Sequence, residues 1–299
     1  MTRTPGPELS AHRASLQYLD VDAGRMAYLD CGPRDAPTVL LVHGMPTSSW
    51  LYRSVAASLA TRGVRAVAPD LIGFGASSKP AVGEVYSVPA QSRRIEALLD
   101  HLTIDAAVFA CHDLGGPWVF ELAGHSPGRV KGLAILNTSA YADLMTPPRE
   151  ARLVGGAMGP AMLAAMGSRI GRPMIRKFFA DFTHSGRGLA ADVTDGYWQS
   201  LHEGGTRAFR SFAVELDAAM GEFARYASTL RDLDVPATII WGAEDPVLRH
   251  EALVPRFAED LRVAADDMHV LDRASHFLQE DRPEDIADII ARFVHSRGL

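Results

Sequence analysis

The sequence predicts an α/β protein with a mostly parallel, doubly wound sheet that is interrupted by a helical insertion. Short apolar runs rich in β-branched residues recur along the chain, and each is followed by Gly, Pro or Asp and then by a helix-like stretch. One long segment, in contrast, has no strand-like run. Strands that alternate with helices lie parallel and are covered on both faces, so they lack the polar alternation of half-exposed strands.

The elements follow in order along the chain. Residues 15–21 and 26–30 alternate between apolar and polar side chains, which predicts an antiparallel pair at one edge of the sheet. We expect five buried strands at residues 38–42, 64–68, 106–110, 132–136 and 237–241. Helices are expected at residues 50–61, 88–101, 117–125, 250–260 and 283–294.

The strand and helix alternation stops between residues 141 and 231. In this segment Ala, Met, Phe and Arg recur at helical spacing, and the Gly-Gly and Gly-Pro pairs at 155–156 and 159–160 indicate several short helices. We therefore predict a core made of residues 1–140 and 232–299, with residues 141–231 forming a helical cap.

Composition restricts the class of partner. Of the 299 residues, 47% are hydrophobic and 22% are charged, which is typical of a soluble globular protein. The net charge is -6 without a basic stripe, so neither nucleic acid nor an anionic membrane is expected as a partner. Cys31 and Cys111 have no metal or disulfide spacing, and residues 1–17 lack the apolar core of a signal peptide. We expect a cytoplasmic protein, without metal or cofactor, that binds a small apolar organic substrate and water.

Three titratable residues follow predicted strands at the sheet edge where α/β proteins collect reactive groups. Asp113 follows a buried strand within CHDLGG, Asp245 follows the last buried strand within WGAEDPV, and His276 follows the apolar run 268–271 within DRASHFLQED. Nucleophile, acid and histidine have this chain order in α/β-hydrolases, with Asp113 in the place of the GxSxG serine. We predict that these three residues form a catalytic triad.

The aspartate at the nucleophile position indicates the type of electrophile. An alkylated serine is an ether, which water does not readily cleave, whereas an alkylated aspartate is an ester, which water can hydrolyse. Asp113 therefore suits attack on a saturated carbon that bears a halide or an epoxide oxygen. His276 would take a proton from the water that attacks the ester, and Asp245 would hold the imidazole in the required tautomer.

Two backbone N–H groups are expected to form an oxyanion hole. One belongs to Leu114, directly after the nucleophile, and the other to Met45 in the HGMP loop after the first buried strand. Gly115 and Gly116 suit the sharp turn that this position requires. Cys111 occupies the first small position of the turn, where glycine is usual.

Five sequence blocks, in this order and spacing, resemble the haloalkane dehalogenase and epoxide hydrolase branch of the α/β-hydrolases. They are HGMPTSSWLYR, PDLIGFGASSKP, HDLGG, WGAEDPV and ASHFLQEDRPE. The resemblance covers residues 15–140 and 234–295. It implies the α/β-hydrolase fold, a helical cap that closes over the substrate, and the same assignment of nucleophile, acid and base to Asp113, Asp245 and His276.

The leaving group stays open between a halide and an epoxide oxygen. The PTSSWLYR and HFLQED stretches favour dehalogenases, but dehalogenases generally place Trp after the nucleophile and many place Asn in the HGNP motif, where this chain has Leu114 and Met45. A departing halide needs donors that take up negative charge, so these two positions favour an epoxide. Fluoroacetate dehalogenases place Arg after the nucleophile, and Leu114 therefore disfavours an acidic substrate.

The cap could supply the missing donor. Epoxide hydrolases use cap tyrosines to protonate the ring oxygen, and the insertion contains Tyr141, Tyr197 and Tyr226. Trp198 could donate its indole N–H to a halide, as a cap tryptophan does in some dehalogenases. We expect Tyr197 and Trp198 to line the substrate pocket, with packing inside the cap as the alternative. Small apolar alkyl halides are the leading substrate class, and epoxides are the alternative.

Structural roles are the competing interpretation for several residues. A non-hydrolytic enzyme or a ligand-binding protein on the same fold stays possible, because a fold does not fix a function. Asp113 by itself could be a helix N-cap, although a matched acid and histidine argue for catalysis. Asp70, His43 and His112 are interpreted as residues that fix loops.

Overall fold

An eight-stranded, mostly parallel sheet forms the centre of the computed structural model, which describes residues 7–81, 83–145, 149–186 and 188–299. The strand order is β1-β2-β4-β3-β5-β6-β7-β8, and only the β1–β2 and β2–β4 pairs are antiparallel. The strands are β1 (Gln17–Val21), β2 (Gly24–Cys31), β3 (Thr38–Val42), β4 (Arg65–Asp70), β5 (Ala107–His112), β6 (Val130–Leu136), β7 (Ala237–Gly242) and β8 (Met268–Leu271).

The predicted α/β fold is confirmed, including the antiparallel edge and the five buried strands. The α-helices of the described residues are α1 (Pro7–Ser15), α2 (Arg53–Thr61), α3 (Val88–His101), α4 (Gly115–His125), α5 (Arg149–Gly155), α6 (Gly159–Gly167), α7 (Arg172–Asp181), α8 (Ala191–Ser200), α9 (Thr206–Val214), α10 (Leu216–Gly221), α11 (Phe223–Asp232), α12 (His250–Leu261), α13 (Leu278–Asp281) and α14 (Pro283–Arg297).

Hydrophobic side chains cover both faces of the sheet because successive residues of a strand point to opposite sides. On one face, Leu40 and Phe109 pack in a cluster with residues of α3, α4 and α12. On the other face, Leu41 and Val108 pack with residues of α2 and α14. Phe179 of α7 belongs to this second cluster, so the insertion shares part of the core.

Among the described residues, seven α-helices, α5 to α11, lie between β6 and β7, and we call these helices and the described residues between them the cap. In the described part of this segment every regular element is helical, and helix α8 continues into a π-helical turn at Leu201–Gly205. Several short helices are what the glycine and proline breaks predicted. The domain boundaries at residues 141 and 231 stay a prediction. No helix among the described residues is both long and apolar enough to cross a bilayer.

Helix α1 has no apolar pattern that would predict it. Its helical segment buries Leu9, and polar contacts to distant parts of the chain hold it in place. His12 Nε2 lies 3.0 Å from the Ser49 hydroxyl, and the Arg13 guanidinium forms two hydrogen bonds with Glu203 of the π-helical turn. The helix therefore depends on tertiary contacts with both the core and the cap.

Candidate active site

Asp113 lies at a sharp turn between β5 and α4. Its φ angle of 52° is in the left-handed region, which few non-glycine residues adopt. A Cβ atom on Gly115 would lie 2.3 Å from the Val42 carbonyl oxygen, and one on Gly116 would lie 2.1 Å from Thr138 Oγ1. Only glycine fits at both positions, so the sequence DLGG dictates the tight passage from strand to helix.

The end of β6 fixes the backbone of this turn. The Asp113 N–H donates to the Asn137 carbonyl at 3.1 Å, and Thr138 Oγ1 donates to the Asp113 carbonyl at 2.5 Å. The residues that directly follow the neighbouring parallel strand therefore hold both the backbone N–H and the carbonyl of Asp113.

The two carboxylate oxygens of Asp113 have different surroundings. Oδ1 accepts the Met45 N–H at 2.6 Å, and the neighbouring Leu114 N–H also acts to lower the pKa of this carboxyl. Oδ2 lies 3.8 Å from His276 Nε2. A Cβ atom on Gly44 would lie 2.2 Å from Oδ1, so a glycine is required before Met45 for this close approach. The structure thus brings both predicted oxyanion-hole residues to the predicted nucleophile, whose side chain is 24% exposed.

Asp245 is fully buried and is held by four donors. Oδ1 accepts the N–H groups of Val247 and Leu248, each at 2.9 Å. Oδ2 accepts His276 Nδ1 at 2.8 Å and Asn137 Nδ2 at 2.6 Å. Burial alone would raise the pKa of this carboxyl, but the histidine and these hydrogen bonds outweigh it and lower the pKa. Asp245 is therefore an ionised acceptor that fixes the histidine tautomer.

His276 lies between the two carboxylates. Burial by itself would lower the pKa of its imidazole, but Asp245 outweighs burial and raises the pKa, and Asp113 adds a smaller effect in the same direction. Because Nδ1 donates to Asp245, Nε2 is the nitrogen that faces Asp113. Burial raises the pKa of the Asp113 carboxyl, although His276 and the two backbone N–H groups partly oppose this.

Asp70, His43 and His112 fix loops, as their structural interpretation predicted. Asp70 accepts the N–H groups of Ser49 and Ala76, each at 2.7 Å. His43 donates from Nδ1 to the Gly44 carbonyl at 2.7 Å and accepts the Leu71 N–H at Nε2. His112 donates from Nε2 to the carbonyl of His276 at 2.9 Å, and burial holds its pKa far below the usual value. His112 is therefore neutral, and its hydrogen bond holds the backbone of His276 in place.

The structure does not bring the donors of Tyr197 and Trp198 to the triad. The Tyr197 hydroxyl donates to Glu280, and its ring stacks on Phe179 with centroids 4.1 Å apart. Trp198 Nε1 donates to the Ser168 carbonyl at 3.1 Å. Each donor hydrogen is used in these bonds, and the lining of the substrate pocket by Tyr197 and Trp198 stays a prediction.

The other two tyrosines of the insertion are also engaged elsewhere. The Tyr141 hydroxyl donates to Asp260 at 3.1 Å, and burial together with the nearby Glu121 raises the pKa of Tyr226. Both side chains are buried on the α12 and α4 side of the core. The hydroxyl hydrogens of Tyr141 and Tyr197 are therefore taken up by carboxylates in this arrangement.

Asn137 is a site residue that sequence reasoning missed. Its amide donates to Asp245, its Oδ1 accepts the Gly242 N–H at 2.9 Å, and its backbone carbonyl binds Asp113. It thus connects the ends of β5, β6 and β7. The signal was present, because Asn137 is a polar residue directly after a buried parallel strand. Among the described residues, no group of three or more His, Cys, Asp or Glu side chains is arranged to hold a metal ion.

The fold and this arrangement of side chains define an α/β hydrolase. A family model described as alpha/beta hydrolase fold matches residues 37–283, so the chain belongs to that family. A haloalkane dehalogenase of Mycolicibacterium paratuberculosis is 33% identical over 281 residues, which cover 91% of this chain and 90% of that protein. The chain therefore lies in the branch of haloalkane dehalogenases and epoxide hydrolases, which are hydrolases.

Solved structures of both kinds share the fold. A haloalkane dehalogenase from Bradyrhizobium elkani has a TM-score of 0.79 and 24% identity, covering 94% of this chain and 98% of that chain. An epoxide hydrolase without ligand has a TM-score of 0.77 and 21% identity, covering 94% of this chain and 99% of that chain. At these identities the likeness concerns the fold alone, and it does not discriminate between the two activities.

Proposed function

We propose that this protein hydrolyses small apolar alkyl halides through a covalent alkyl ester on Asp113, with His276 as base and Asp245 as acid. The observation that carries the proposal is the unequal environment of the two Asp113 oxygens. Oδ1 is held by the Met45 N–H at 2.6 Å, whereas Oδ2 lies on the side of His276. One oxygen is thus placed as an oxyanion, and the other as the attacking atom.

In the first step, Oδ2 of Asp113 attacks the carbon that bears the halogen. The carbon–halogen bond breaks, and the halide leaves with the bonding electron pair. Oδ1 becomes the carbonyl oxygen of the new ester while it still accepts the Met45 N–H. The oxyanion hole is therefore in place before the second step begins, which avoids a cost of reorganisation.

In the second step, His276 Nε2 takes a proton from water, and the hydroxide adds to the ester carbon of Asp113. The electron pair moves onto Oδ1, where the N–H groups of Met45 and Leu114 stabilise the negative charge. Collapse of this intermediate expels the alcohol, which takes the proton back from His276. The carboxyl then loses its own proton, so each turnover consumes one water and releases one alcohol, one halide and one proton.

The residues around Asp113 bear on the leaving group. Leu114 and Met45 are partly exposed beside the nucleophile and have no side-chain N–H or O–H. This feature favours the alternative substrate, an epoxide, because it leaves a halide without side-chain donors there. Against an epoxide, the hydroxyls of Tyr141 and Tyr197 donate to carboxylates, and the relative with 33% identity is a haloalkane dehalogenase. Alkyl halides are therefore the leading class, with the weakly hydrated bromide and iodide preferred over chloride.

Trapping the ester tests the proposal. A His276→Phe variant should still be alkylated at Asp113 but should not hydrolyse the ester. We would incubate it with bromobutane or with epoxybutane and measure the intact mass, followed by peptide mapping. We expect an adduct from bromobutane that equals the butyl group without bromine, located on Asp113. The matched control is Asp113→Asn combined with His276→Phe, which should stay unmodified.

Each other outcome points to a different function. An adduct from epoxybutane alone, equal to the whole epoxide, would establish the alternative substrate class. No adduct from either compound would contradict the covalent mechanism. In that case, binding of the same compounds that is unchanged by Asp113→Asn would indicate a ligand-binding protein on this fold.

A further inference from the structure

The loop between β8 and α13, residues 272–277, carries His276 and is bonded directly to the cap. We call it the histidine loop. The Phe277 N–H donates to the Phe182 carbonyl at 3.1 Å, directly after the triad histidine. The Phe182 ring also stands edge-on to the His276 ring, with centroids 5.8 Å apart. Phe182, which follows α7, therefore contacts Phe277 through its backbone and His276 through its ring.

Asp281, at the end of α13, adds a second connection. One of its carboxylate oxygens accepts the Ser275 N–H at 2.9 Å, and both oxygens lie 3.0 Å from the His184 N–H. Ser275 directly precedes His276, and His184 belongs to the cap. A single half-buried carboxylate thus joins the backbone of the histidine loop to the backbone of the cap.

Several other groups also hold His276 and the residues before it. Asp245 orients the imidazole through Nδ1, and His112 holds the backbone carbonyl of His276 from beneath. On the N-terminal side of His276, the Ser275 hydroxyl donates to the Glu244 carbonyl at 3.1 Å, and the Ala274 carbonyl accepts the Glu244 N–H at 2.9 Å. Asp281 joins this same backbone directly to the backbone of the cap, and Nε2 of His276 lies 3.8 Å from Asp113 Oδ2.

We propose that Asp281 is a positioning residue, which sets the position of His276 relative to Asp113. This position therefore depends on how the cap packs against the core. This inference rests on the proposed function, in which His276 acts only in ester hydrolysis. Asp281 has no contact with the nucleophile among its hydrogen bonds, so its loss slows the second step and leaves alkylation of Asp113 intact. A residue with a merely structural role would lower both steps together.

The test measures the two steps separately in an Asp281→Asn variant of the full chain. The amide retains one oxygen acceptor, but its NH2 group cannot accept the other backbone N–H. The variant is mixed with iodobutane, quenched at intervals and analysed by intact mass. Decay of the adduct after removal of iodobutane gives a first-order constant that does not depend on how much of the protein is folded.

The matched control is Asp285→Asn, four residues further along the chain. Asp285 forms a surface ion pair with Arg282 at 2.7 Å, and among the described residues it has no hydrogen bond to the histidine loop or the cap. We expect Asp281→Asn to be alkylated at a rate within about threefold of this control and to hydrolyse the ester at least about tenfold more slowly, since a displacement of about 1 Å can cost on the order of 10²-fold. The alkyl-enzyme should therefore accumulate during turnover.

An Asp281→Glu variant, which keeps the carboxylate, should recover part of the hydrolysis rate and also serves if the Asn variant does not fold. Hydrolysis within twofold of the control, or an equal fall of both constants, would overturn the inference while an adduct on His276→Phe still upholds the proposed function. If His276→Phe forms no adduct with any alkyl halide or epoxide, the proposed function fails, and the inference fails with it.

Discussion

The strand ends of the core and the helices of the cap use their polar groups differently. At the strand ends, Asp245, Asn137 and two backbone N–H groups converge on His276 and Asp113. In the cap, the donors of Tyr197 and Trp198 are used to join helices to each other and to the core. In the proposed mechanism, the core therefore supplies the groups that react, and the cap supplies shape and position.

This division follows from how the two regions are built. Parallel strands end at one edge of the sheet, so polar residues from distant parts of the sequence meet there without help from other elements. Short cap helices leave many polar groups to be satisfied by their neighbours, and buried polar groups are costly when they have no partner. Substitutions should therefore have large effects on chemistry in the core and small effects in the cap.

The largest effect is expected for the nucleophile. Asp113→Asn removes the oxygen that forms the ester, and turnover of bromobutane, measured as halide release, should fall by about 10⁵-fold or more. Asp266→Asn, in an exposed turn, is the control and should retain full activity. A fall of less than about 10³-fold would mean that Asp113 is not the covalent nucleophile.

The next effect concerns the tautomer of the histidine. Asp245→Asn replaces the acceptor at His276 Nδ1 with an amide and should lower kcat by about 10⁴-fold. The same variant should still form the alkyl ester, because Asp245 does not touch Asp113. Quenched mass spectra that show no ester during turnover would contradict a role limited to His276.

The pH profile reports on both groups at the strand ends. In the proposed mechanism, His276 acts as a base when neutral, and Asp113 attacks when ionised. Although burial lowers the pKa of His276, Asp245 raises it above the ordinary 6.5. Burial also raises the pKa of Asp113. Activity should therefore be complete above both values and should fall by about tenfold per pH unit below the one that limits the rate.

Measured rates of halide release across this range check the direction of the shift. An acid limb centred below 6.5 under conditions where ester hydrolysis limits turnover would contradict a raised pKa of His276. In His276→Phe, only Asp113 should remain to limit alkylation.

The smallest effect on chemistry is expected in the cap. Tyr197→Phe and Trp198→Phe should each leave kcat/KM for bromobutane within about threefold, because neither donor faces the nucleophile. Tyr197→Phe removes a hydrogen bond to Glu280, whose side chain is buried, and should lower the free energy of unfolding by about 1–3 kcal/mol. If halide release falls by more than about tenfold while the Tm is unchanged, the cap supplies a leaving-group donor. The cap would then take part in the chemistry as the core does.

The sequence predicted the sheet, its antiparallel edge and the meeting of Asp113, Asp245 and His276. These predictions succeed because apolar runs identify buried parallel strands, and because residues that follow such strands share one edge. The HGMP and DLGG motifs likewise predicted the backbone N–H groups at Asp113, since the turn after each strand is a local property. Asn137 also directly follows a buried parallel strand, so the same rule could have predicted its position in the site.

Other features depend on contacts between residues far apart in the chain, and only the tertiary structure decided them. Helix α1 is held by His12 and Arg13 through partners in the core and the cap, so no local pattern predicts it. Tyr197 and Trp198 were suitable donors by residue type, but the direction of a side chain depends on the acceptors that the fold places around it. The link from Asp281 to the cap has the same origin. The sequence determined which groups could react, and the packing of the cap against the histidine loop decided which of them are available.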